Sequence, residues 1–87
     1  MSFSVTEIQP TPNPNAAKFL LNRPISDGPV SFLSADQARD HVLARKLFAI
    51  PGVVSLLLLG DFLTVNKAAS AAWPALRKRV QQILAEA

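Results

Sequence analysis

Seven residues in the second half of the chain, Val53-Val54-Ser55-Leu56-Leu57-Leu58-Leu59, are apolar apart from one serine and show no alternation. A strand with one wet face alternates apolar and polar residues. One without alternation is covered on both faces, or turns an apolar outer face toward something else that covers it. The run is also far shorter than the roughly 20 residues that a membrane-spanning helix needs. Gly60-Asp61 follows, a two-residue turn with glycine where φ must be positive, and Phe62-Leu63-Thr64-Val65 is the return strand. Four consecutive leucines send two side chains to each face of the sheet. If helices cover one face only, the leucines of the other form a candidate docking surface.

The rest of the chain must pack against this hairpin. Phe3, Val5 and Ile8 mark a half-buried strand over residues 3–9. Pro12 and Pro14 then fix φ and remove backbone donors, making residues 12–15 a rigid turn. Ala17-Lys18-Phe19-Leu20-Leu21-Asn22 reads as a second strand, antiparallel to the first. Pro24, Asp27-Gly28 and Pro29 make residues 23–30 irregular. Val30-Ser31-Phe32-Leu33 adds at most a short extended piece. Ser34 and Gln37 have the spacing of a capping box, and Asp36 favours the positive end of a helix dipole. A helix is expected over residues 35–49, as one piece or as two shorter ones meeting near Asp40-His41, with Pro51 and Gly52 as the stop. Trp73, Leu76, Val80, Ile83 and Leu84 form the apolar stripe of a last helix, with Pro74 in its first turn. The expectation is a single α+β domain over residues 1–87. It is a two-layer sandwich in ββαββα order, whose four-stranded, mainly antiparallel sheet carries its helices on one face. The strand order cannot be read from the pattern.

Composition removes whole classes of function. The 87 residues, 49% hydrophobic, contain no cysteine, so there is no disulfide, no thiolate nucleophile and no Cys-ligated zinc or iron–sulfur cluster. His41 is the single histidine. With Asp36 and Asp40 one turn away it is a poor start for a metal site, and no metal site is expected. The three glycines are scattered singly rather than gathered in a phosphate loop, and Asp61 is explained as half of a turn. Serines and threonines occupy cap and turn positions. No catalytic residue is assigned and the chain is read as a non-enzyme. The first residues lack a basic n-region and a long apolar core, so a cytoplasmic protein without membrane contact is expected.

The formal net charge of +3 is uneven. Residues 1–44 hold three basic and four acidic side chains, and residues 45–87 hold six and two. Arg77-Lys78-Arg79 is the one basic cluster, fanning across roughly 200° of helix. It underlies an alternative reading as a basic nucleic-acid-associated or regulatory binding module. Nucleic acid is disfavoured because binding it calls for more charge and for exposed aromatics.

Thr11-Pro12-Asn13-Pro14-Asn15-Ala16-Ala17-Lys18-Phe19 resembles the start of the N-terminal domain of Nfu/NifU-type iron–sulfur scaffold proteins. The likeness continues through Gly28, Phe32 and Ser34, then Leu47-Phe48-Ala49-Ile50-Pro51-Gly52-Val53. It ends with Gly60-Asp61-Phe62-Leu63-Thr64-Val65-Asn66-Lys67 and Trp73-Pro74-Ala75-Leu76. Any one segment is weak; all five in order are specific. Where the family commonly has Ser-Pro, this chain has His41-Val42. The resemblance implies an accessory domain standing alone, without the Cys-x-x-Cys domain that carries the cluster. It implies non-catalytic docking in iron–sulfur cluster assembly or delivery, onto a cysteine-bearing scaffold, carrier or client protein. No cofactor is bound directly, and the cluster is met only through that partner. Asn13, Pro14, Asn15 and Lys18, with the Gly60-Asp61 tip, are the candidate docking residues. The two asparagines are equally well explained as turn formers around Pro14.

Overall fold

The computed structural model describes residues 2–87. Its elements are β1 (Val5–Pro10), β2 (Ala16–Leu21), β3 (Ser26–Phe32), α1 (Val42–Phe48), β4 (Val53–Gly60), β5 (Phe62–Lys67) and α2 (Trp73–Glu86). The strands form one sheet in the order β1-β2-β5-β4-β3, antiparallel at every junction. The leucine hairpin, β4–β5, occupies the centre. Leu59 faces Phe62 across a two-residue turn in which Gly60 has φ +57°. Positive φ at the first turn residue alone is the type II′ pattern, whose twist matches the flanking strands.

The sheet has five strands, not the expected four, and the element order is βββαββα. The added strand is β3, whose first half is the segment read as irregular. Ser26 pairs with Gly60 and Val30 with Leu58, so two more residues separate the pairs on β3 than on β4. That bulge absorbs Asp27-Gly28-Pro29. A proline is tolerated there because β3 is an edge strand and pairs on one side only.

The first helix is shorter than expected. Gln37 N–H donates to Ser34 Oγ at 3.4 Å, while Gln37 Oε1 accepts from Leu33 N–H at 2.7 Å. The predicted cap pair thus forms, but the chain beyond it winds through i→i+3 bonds, from Ala38 to Ala35 and from His41 to Ala38. His41 is extended and breaks the run. It then caps α1, its Nδ1 accepting from Ala44 N–H at 3.1 Å. His41-Val42 thus holds the N-cap and N1 positions that Ser-Pro would suit in the resembling family.

Both helices cover one face. Ala44 and Leu47 of α1 and Leu76, Val80 and Leu84 of α2 share a core with Phe19, Phe32, Leu56, Leu58, Leu63 and Val65. The opposite face carries the other hairpin leucines. Leu20, Phe62 and Leu59 line up across three strands, beside Lys18, Thr64 and Leu57. Side chains on neighbouring strands leave all six half-buried, although no helix lies over them.

Candidate functional site

Residues 11–15 connect β1 to β2, and the structure shows what holds them. The Thr11 hydroxyl lies within donating distance of the Asn13 and Ala16 carbonyls, at 2.9 and 3.0 Å, and accepts from Asn13 N–H. Asn13 Oδ1 accepts from Asn15 N–H at 2.9 Å, the side-chain turn that asparagine favours. Two distant residues then pin the loop from the helix-bearing side. Trp73 Nε1–H donates to the Pro14 carbonyl at 2.9 Å. The Lys67 ammonium donates to Asn15 Oδ1 at 3.1 Å and to the Ala68 carbonyl at 3.3 Å, beneath the Trp73 ring. Lys67 is the one buried charged residue among those described. Trp73 itself leans on Phe19, ring centroids 6.5 Å apart, and so anchors the helix start on the sheet.

Both asparagine oxygens are therefore engaged within the loop's own scaffold. The groups left to a partner are the amide NH2 of Asn13 and the exposed rings of Pro12 and Pro14. A recess of about 380 Å3 adjoins them, bounded by Thr11, Asn13, Trp73 and Arg77. Trp73, Lys67 and Arg77 were not assigned to this loop from sequence. No local pattern links residues 52 and 59 positions apart.

The remaining candidates lie elsewhere. Ala16 pairs with Asn66 and Leu20 with Phe62, so the loop and the Gly60-Asp61 tip occupy opposite ends of β2. The strand separates them by about 17 Å at 3.4 Å per residue. The tip is itself used in the fold: the Gly60 carbonyl accepts from Ile25 N–H and the Asp61 carbonyl from Leu21 N–H, each at 2.7 Å. Lys18 points to the helix-free face, its Nζ 4.1 Å above the Phe62 ring. The six residues thus divide into a loop group and an outer-face group. Arg77, Lys78 and Arg79 are all exposed, opposite buried Leu76 and Val80. Arg77 and Lys78 flank β1, whereas Arg79 borders the recess beside Gly52 and Ala71. Asp36 pairs with Arg39 at 3.6 Å, and among the described residues no three His, Asp or Glu side chains gather as metal ligands. No described helix is long and apolar enough to cross a membrane.

The sequence model of the family described as scaffold protein Nfu/NifU N terminal matches residues 5–87. The chain belongs to the Nfu/NifU N-terminal family. As an Nfu N-terminal domain it is 37% identical over 79 residues to a NifU-like protein of Schizosaccharomyces pombe, covering 87% of this chain and 30% of that protein. It is 40% identical over 62 residues to the human NFU1 iron-sulfur cluster scaffold homolog, mitochondrial, covering 70% and 24%. The domain thus spans less than a third of these relatives. Among solved structures, a NifU-like protein from Saccharomyces cerevisiae superposes with TM-score 0.78 at 29% identity, over 90% of this chain and 72% of that one. Protein SAV1430 from Staphylococcus aureus shares the fold, with TM-score 0.77 at 22% identity over 92% and 96%.

Proposed function

We propose that this Nfu N-terminal domain is a non-catalytic docking module in iron–sulfur cluster assembly or delivery. Its partner is a cysteine-bearing scaffold, carrier or client protein. The cluster is cargo held on that partner's thiolates, since these 87 residues contain no cysteine. The reading is supported chiefly by the loop of residues 11–15. Its conformation is set by Trp73 and Lys67 before any partner arrives. A preorganised loop loses little entropy on association, so a small contact can suffice.

Pro12, Asn13 and Pro14 are the first contacts in this scheme. Lys18 and the Gly60-Asp61 tip join only if the partner wraps the sheet to its outer face. The basic-helix alternative finds no support in the relatives, and its three cations are divided between two flanks. A cytoplasmic location is assigned on sequence grounds, while the human relative is named as mitochondrial.

An 15N NMR titration with a Cys-x-x-Cys scaffold domain from the same organism, with and without cluster, tests the reading. Shifts are expected at residues 11–19 and at the Trp73 indole. Asn13→Asp keeps the oxygen that Asn15 N–H needs and removes the NH2 donor, so it weakens docking while leaving the fold unchanged. No shifts with both partners near 1 mM would mean a Kd well above about 1 mM and would end the case for that scaffold.

A further inference from the structure

β1 is an edge of the sheet, with β2 on one side and no strand on the other. Beside that edge runs an open groove of about 840 Å3. One wall is Phe3, Val5 and Ile8. The other is one flank of α2, formed by Arg77, Lys78, Gln81 and Gln82. Residues three and four apart share a helix face, so this second wall is continuous over two turns. It carries two cations and two amides, and no Asp or Glu lines the groove. Glu7, the acidic residue of β1, lies outside it with its carboxylate held by Gln9 Nε2–H. Phe3, Val5 and Ile8 pack on the core yet remain half-buried, because the sheet ends at β1 while α2 flanks the groove beyond it.

The two sheet edges are not equivalent. β3 is blunted by Pro29 and its bulge, the usual protection of an edge against further pairing. From Glu7 to Pro10 the β1 register runs without a break, Glu7 opposite Leu20 through Pro10 opposite Ala17. We propose that β1 and its groove take up an extended segment of a partner protein as a sixth strand, with apolar and acidic side chains alternating along the groove-facing side. Backbone pairing with β1 supplies affinity, as in other cases of strand addition. Carboxylates meeting Arg77 and Lys78 supply selectivity and speed of encounter. A second copy of this chain is a poor occupant, since edge-to-edge pairing would bring its own Arg77 and Lys78 against the same two cations.

The groove shares Ile8 and Arg77 with the loop recess, but the proposal requires neither the Asn13 amide nor a cluster-bearing partner. It is tested by 15N NMR on the whole chain with a synthetic eight-residue peptide. Isoleucine and glutamate alternate on one face of the peptide and threonine fills the other. Three controls accompany it: the peptide with lysine for glutamate, the peptide N-methylated at alternate residues, and anionic phospholipid vesicles. The glutamate peptide is expected to shift the amides of residues 3–9 and 77–82. The paired change Arg77→Glu, Lys78→Glu, at exposed positions, should lower its affinity at least about tenfold. Asn13→Asp should leave binding unchanged, which separates this surface from the loop. Equal binding of the lysine or N-methylated peptide overturns the proposal, as does absence of binding at about 1 mM peptide. So does a result in which vesicles alone shift these residues.

Discussion

The Lys67–Asn15 contact gives the sharpest test of how the loop is held. Lys67 is 8% exposed, and its ammonium has two oxygen acceptors, Asn15 Oδ1 at 3.1 Å and the Ala68 carbonyl at 3.3 Å. Asn15→Ala removes the nearer one. Hydrogen bonds to charged groups are worth about 1.5–3 kcal/mol, and fully isolating a buried charge costs about 3–5 kcal/mol. One carbonyl and the Trp73 ring remain, so the expected loss is about 2 kcal/mol, or roughly 8–16 °C in Tm for a domain of this size. Lys67→Met keeps the apolar stem and removes the charge. Asn15 is only half-buried, so water can satisfy its oxygen, and the expected cost is about 0.5–1 kcal/mol. Without the ammonium, Asn15→Ala no longer strands a charge. The double variant should therefore lose only about 1 kcal/mol, a coupling of about 2 kcal/mol. Urea unfolding followed by the fluorescence of Trp73, the only tryptophan, with far-UV circular dichroism alongside, measures all three. A loss below about 0.5 kcal/mol for Asn15→Ala, or losses that simply add in the double variant, would refute the reasoning.

Three further outcomes are expected. Trp73→Phe removes the donor to Pro14 and should cost about 1 kcal/mol; amide exchange in residues 13–16 should quicken while that of Leu58 does not. His41→Ala should cost about 1 kcal/mol through loss of the α1 cap, and His41→Ser should recover most of it, as read by denaturant midpoints. Gly60→Ala meets no neighbour and should cost about 1–2 kcal/mol for its φ of +57° alone. Gly52→Ala should cost at least about 1 kcal/mol more than that, since at φ +100° its Cβ would lie 2.6 Å from Ala71 Cβ. Equal Tm losses for the two glycines would contradict this account.

The central hairpin and α2 were legible because their signals are local. An apolar run with a Gly-Asp turn and a stripe at helical spacing need no tertiary information. β3 was not, because Asp27-Gly28-Pro29 carries the chemistry of a loop, and only the edge position of the strand makes that chemistry compatible with pairing. The Ser34–Gln37 pair was read correctly as a cap, yet it caps a turn. The extended backbone at His41 interrupts the helix before it can propagate. Of the candidate site, the loop and its turn-forming asparagines were visible in sequence. The distance from the loop to Gly60-Asp61 was not, because it depends on which end of β2 each turn occupies. The sequence-derived grouping therefore joined residues that the register sets apart.

The strand order also bears on how the chain reaches this shape. β2 and β3 are neighbours in sequence, but the β5–β4 pair is inserted between them. A polypeptide emerging from the ribosome with only its first 52 residues has two separated half-sheets whose inner edges have no partner. Phe19 and Phe32 then lack the hairpin and α2 side chains that bury them. The long-range closure that completes the sheet waits for the last third of the chain. Folding is accordingly all-or-none and late, with no stable N-terminal subdomain on the way.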